Sequence, residues 1–165
     1  MRSDLITKIL RLNKEKKNHH FIFIEATQKI VGPQIILWGE ASWWPKTSKI
    51  KLLRETPGDI QMGTTYKQRF AKLFAPRWRN EVTQLVADQE IEKTFIKGPF
   101  SGFERISTEW RLNGTRVDYT LQYKIHGFLN QILWTLFFER AYNKNIQMIL
   151  NSLNRWALKQ KDDKK

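Results

Sequence analysis

The chain has no cysteine among its 165 residues. That absence excludes disulfides, a thiolate nucleophile and cysteine-ligated metals. No window approaches the roughly 18 consecutive apolar residues of a spanning helix. The opening MRSDLITKILRLNKEKK lacks the unbroken apolar core and small-residue cleavage site of a secretory leader. Asp4 and Glu15 also count against an organelle-targeting leader. A cytoplasmic protein is expected, with peripheral contact to a membrane compatible. Signatures of the form G-x-G-x-x-G, Walker loop, H-E-x-x-H and G-x-S-x-G are missing, and GPFSG at 98–102 has its serine out of place for the last and reads as a turn. His19, His20 and His126 show no metal-ligand spacing, so neither a metal nor a cofactor is expected.

Acidic residues are the scarce charge. Sixteen Asp and Glu against 29 Lys and Arg leave a formal net charge of +13. Such a field favours an anionic partner, whether nucleic acid, acidic lipid or acidic protein, and does not choose among them. What is abundant is apolar material: 41% hydrophobic and 13% aromatic residues argue for a packed core. The expected organisation is a basic amphipathic segment over 1–18, a globular domain over 19–160 and a charged tail over 161–165.

Ser3 can cap a short helix with Leu5, Ile6, Ile9 and Leu10 on one face. HHFIFIEATQKI reads as a strand covered on both faces and broken by Gly32-Pro33. IILWGEASWWP reads as one or two short helical turns closed by Pro45. From Lys49, six strand candidates follow in an antiparallel meander, with Asn113-Gly114 as the strongest hairpin signal. In the last strand Val117, Tyr119, Leu121, Tyr123 and Ile125 share one face, so one side of the sheet is buried and the other wet. After Gly127 apolar residues recur at helical spacing to about Leu158, a helix of about 30 residues and about 45 Å. Its inner stripe passes through Ile146, Tyr142, Glu139, Thr135, Ile132 and Phe128. Leu133, Trp134 and Phe137 fall off that stripe and need another cover: the N-terminal segment, which is favoured, a second subunit or a membrane surface.

ILWGEASWWPKTSKIKLLRE, GDIQMGTTYKQRF, KGPFSGFE and NGTRVDYTLQYKIHG resemble the START-like (SRPBCC) superfamily, especially its polyketide cyclase/dehydrase and lipid-transport-like branch, over roughly Phe21 to Leu158. The resemblance implies an α+β helix-grip fold. A curved antiparallel sheet of about seven strands would wrap a long C-terminal helix, with two short helices after the first strand. It also implies a cavity between sheet and helix for an apolar or amphipathic small molecule.

Within such a cavity Tyr66, Gln68, Tyr119 and Tyr123 on the sheet, with Thr135, Glu139 and Tyr142 on the helix, would make a polar end. Phe70, Phe95, Trp110 and Leu121 would line the apolar remainder, and Trp43 and Trp44 would lie at the entrance. Glu139 and Tyr123 are the candidates for acid–base work. The plainer reading of Glu139, which is favoured, pairs it with Arg69 or Arg105, because a lone buried carboxylate is costly. The preferred function is a non-catalytic carrier of a lipid, isoprenoid, quinone or polyketide-like ligand. A cyclase or dehydratase is the first rival. An RNA- or ribosome-binding protein comes last, since nucleic-acid-binding signatures are absent.

Overall fold

The computed structural model describes residues 14–163. Along the chain run β1 (Lys16–Ile24), α1 (Gln28–Ile36), β2 (Ile50–Arg54), β3 (Thr65–Phe70), β4 (Arg77–Val86), β5 (Glu90–Lys97), β6 (Phe100–Arg111) and β7 (Gly114–Ile125). They are followed by α2 (Phe128–Leu133), a π-helical turn (Trp134–Phe138) and α3 (Glu139–Asp162). The strands form one antiparallel sheet in the order β1-β7-β6-β5-β4-β3-β2. Because β1 pairs with β7, the first and last strands lie side by side and the meander fills the rest. This is the helix-grip architecture, a curled sheet closed over a long C-terminal helix.

Alternation builds the sheet's inner face. Val117, Tyr119, Leu121, Tyr123 and Ile125 are all buried, and Asn113 takes the left-handed conformation (φ 67°) that the Asn-Gly hairpin requires. Against this face α3 sets Tyr142, Ile146, Ile149, Leu150, Leu153 and Ala157.

Three expectations about these elements are corrected. The first helix begins at Gln28, well before the expected turns, and carries Gly32-Pro33 inside it rather than ending a strand there. Gly32 suits that place because α1 lies directly on the β4–β5 turn: a Cβ would overlap the carbonyl oxygen of Asp88. The segment around Trp43 and Trp44 is a series of turns, not a second helix. β1 is covered on one face only, and Phe21 and Phe23 stand out on the other, where the Arg116 guanidinium lies 4.4 Å above the Phe21 ring. Among the described residues β1 begins at Lys16 and α3 runs to Asp162.

The helix phase also slips. Instead of Glu139, Thr135, Ile132 and Phe128, the inward positions before Tyr142 are Phe138, Trp134 and Gln131. A π turn carries more residues per turn than an α turn, so inward positions fall four apart across it. Trp134 is thereby buried, Leu133 is half-buried, and Phe137 is 61% exposed. The expected cover by Leu5, Ile6, Ile9 and Leu10 lies outside the described residues.

Candidate functional site

The space between sheet and helix is filled by rings in contact. Trp78 meets Phe100 at 4.9 Å between centroids, Phe100 meets Trp134 at 4.8 Å, and Trp134 meets Tyr142 at 5.4 Å. Trp38 stacks on Tyr119 at 5.7 Å and is met edge-on by Trp44 at 5.1 Å. Trp43 is buried with its indole N–H donated to Gln34, so Trp43 and Trp44 together cover the interior beside Trp38.

Among these rings sits a buried polar cluster that the sequence reading did not single out. Lys93 on β5 and Glu104 on β6 are directly opposite in register, point inward, and are 0% and 1% exposed. The Lys93 ammonium donates to the Trp38 carbonyl at 3.3 Å and stands 4.3 Å over the Tyr66 ring. Among the described residues neither Glu104 oxygen has a hydrogen-bond partner, although Tyr119 and the Trp38 indole are close enough to favour its charged form in part. Burial pushes the Glu104 carboxyl up, opposed chiefly by Lys93, and burial pushes the Lys93 ammonium down, opposed by Glu104 and Glu40. Beside them Asn80 donates to Gln68 at 2.8 Å, Gln68 donates to the Tyr142 hydroxyl at 3.3 Å, and the Tyr142 and Tyr119 hydroxyls share a hydrogen bond at 3.2 Å. Among the described residues Trp38 Nε1, Tyr66 OH, Trp78 Nε1 and Asn80 Oδ1 make no well-formed hydrogen bond, although the Trp38 indole lies near Glu104 and the Tyr66 hydroxyl near Glu40.

A second cluster joins the two acid–base candidates. Tyr123 donates to Glu139 at 2.8 Å, and the Trp134 indole donates to the Tyr123 hydroxyl at 3.0 Å. Lys16 on β1 donates to the other Glu139 oxygen at 2.8 Å and to Thr135 at 3.0 Å. Lys16 therefore takes the place expected of Arg69 or Arg105; Arg105 pairs with Glu90 and Glu92 on the outer face instead. Burial, followed by the Glu139 carboxylate, pushes the Tyr123 phenol well above its ordinary range, so it is a donor at neutral pH. Thr135 and Glu139 border a shallow depression with His20 and Asn143, which puts them at the surface rather than in the interior.

Of the remaining lining candidates, Tyr66, Gln68, Phe70, Tyr119, Leu121 and Tyr142 are buried on the inner side and Phe95 is half-buried. Trp110 is not with them. It stands 51% exposed near the outer end of β6, past the part of the sheet that the helices cover.

Residues 41–149 match the family described as polyketide cyclase / dehydrase and lipid transport. The chain belongs to that family. No curated protein matches it in sequence. Among solved structures, the fold is shared with TTHA0849 of Thermus thermophilus, which is 16% identical with a TM-score of 0.63, covering 89% of this chain and 99% of that one. The norcoclaurine synthase of Thalictrum flavum, as a point mutant in complex with a transition-state analogue, is 14% identical with a TM-score of 0.64 over 90% and 97% of the two chains. The major latex-like protein 151 of Panax ginseng is 8% identical with a TM-score of 0.58 over 87% and 98%. At these identities the likeness is one of fold. As a polyketide cyclase / dehydrase and lipid transport family protein, the chain has a ligand-binding architecture.

Proposed function

We propose that the protein binds and carries a small amphipathic molecule, of lipid, isoprenoid, quinone or polyketide-like kind, between its sheet and its C-terminal helices. The observation that supports this reading is the group of unpartnered polar atoms around Lys93 and Glu104, enclosed by aromatic rings. Each such atom costs about 1–3 kcal/mol when it is buried without a partner. A ligand with a polar head would satisfy several of them at once while the rings hold its apolar part. Since the rings pack against one another, uptake displaces some of them, and tryptophan emission reports it.

The test is native mass spectrometry of the purified full chain with solvent extraction, followed by titration with oleate and decylubiquinone. A stoichiometric amphipathic adduct, or saturable emission change that weakens roughly tenfold or more in Lys93→Met/Glu104→Gln, supports the reading, since a tenfold loss is what one charge-assisted contact supplies. A bare mass with no emission response to either probe overturns it.

A cyclase or dehydratase is the second reading, and the same pair favours it. A carboxyl displaced upward beside an amine displaced downward is suited to moving a proton. Turnover of a poly-β-ketone thioester, abolished by Glu104→Gln, would select this reading; binding without turnover selects the carrier.

A further inference from the structure

Four stretches of the chain, 41–54, 60–80, 93–103 and 119–138, contain twelve Lys or Arg and no Asp or Glu. The fold gathers parts of all four at one end of the sheet, where β2, β4 and β6 begin and β3, β5 and β7 finish. On the outer face the register builds two cross-strand rows of cations. Lys51, Arg69 and Arg77 make the row nearer that end, and Lys67, Arg79 and Lys97 make the next. Glu55 pairs with Lys67 and Arg79. Among the described residues no carboxylate comes within ion-pair distance of Lys51, Arg69, Arg77 or Lys97. The rows line a depression of about 780 Å³, and the exposed Leu53 continues the second row onto β2. Like charges placed directly opposite oppose folding, so these rows point to an anionic partner.

The tip of the β3–β4 connection belongs to the same end. Leu73 and Phe74 are 79% and 78% exposed, and Phe74 is held at φ 59°, a conformation that bulky side chains rarely adopt. Phe128 and Leu129, at the start of α2, are exposed at this end too. We infer that this end docks on an anionic lipid bilayer, with Leu73 and Phe74 entering the headgroup boundary and the cation rows lying against lipid phosphates and carboxylates. The apolar pair at the tip favours a bilayer over nucleic acid, which would leave both side chains against phosphate. The opposite end supplies the contrast. Trp110 and Leu112 are exposed there, but Arg111 and Arg116 are each paired with an acid, Glu109 and Asp118.

The test is co-sedimentation of the full chain with phosphatidylcholine vesicles and with vesicles of phosphatidylcholine and phosphatidylserine. Binding is expected to the second only, and to fall as salt rises. Leu73→Ser/Phe74→Asn removes the apolar tip while placing at 74 a residue that tolerates the left-handed conformation. It should weaken binding about tenfold or more. Arg69→Glu/Arg77→Glu should abolish binding, and Trp110→Ser/Leu112→Ser should leave it unchanged; unaltered circular dichroism shows that each variant folds. Equal binding to both vesicles, or tip variants that bind like the parent, overturns the inference. So does binding to single-stranded RNA without binding to vesicles, or a dimer in solution that Leu73→Ser/Phe74→Asn dissociates. Vesicle binding needs no interior ligand, so it stands or falls separately from the carrier reading.

Discussion

Lys93 and Glu104 face each other across two strands in the dry interior, and their effect on stability has a definite sign. The folded Glu104 carboxyl holds its proton to a higher pH than the unfolded value of 4.5. Unfolding therefore releases a proton in the window above 4.5, and stability falls as pH rises through it. Lys93 acts with the opposite sign, because its folded value lies below 10.5 and stability rises with pH through that upper window. Glu104→Gln should flatten the fall above 4.5 and, because the Glu104 charge no longer opposes the downward push on Lys93, widen the upper window, measured by thermal melts across pH. At the other cluster Glu139→Gln keeps a hydrogen-bonding partner for Tyr123 and loses only the charge of the part-buried bond to Lys16. A cost of about 0.2–1 kcal/mol in urea melts, with ligand retention unchanged, is expected. Sequence spacing brought Glu139, Tyr123, Tyr142 and Tyr119 under consideration. It carried the signal for the buried pair as well, since Ile91, Lys93 and Phe95 share one strand face and so do Glu104 and Ile106. A lysine or glutamate in such a place reads as solvent-facing, because only the closed sheet makes that face dry.

The π turn is where element-level reading and structure part. A uniform helical period puts Trp134 and Phe137 together off the stripe, and a single wide turn separates their fates. Trp134→Ala should cost about 3–5 kcal/mol in urea melts and Phe137→Ala within about 0.5 kcal/mol. Equal costs would mean that the wide turn is not what sets the phase. The meander was legible because period-two patterning and hairpin chemistry agree strand by strand, above all in β7. α1 was not, since Gly32-Pro33 is a break signal in sequence and a packing requirement in space. Nor was the exposed face of β1, because an edge strand with Phe21 and Phe23 outward looks the same in sequence as a strand covered on both sides. Trp110 was misplaced for the related reason that alternation tells the face but not how far the covering helices reach.

For the whole molecule, the net charge of +13 repels itself in the compact state. Raising sodium chloride from about 20 mM to about 500 mM should raise the melting temperature, because screening relieves the repulsion among the rows' cations, four of them without an acid among the described residues, more than it weakens the surface ion pairs. Arg69→Gln/Arg77→Gln should give part of that gain at low salt and blunt the further response; a melting temperature that falls with salt would contradict both.

The same rows bear on how copies of the chain behave toward one another. β2 is a sheet edge of five residues, and a second copy aligning its own β2 alongside would bring Lys51 against a surface already crowded with Arg69 and Lys67. Edge pairing that would otherwise seed strand-on-strand growth is thus met by repulsion, and crowded copies stay apart until a polyanion screens them.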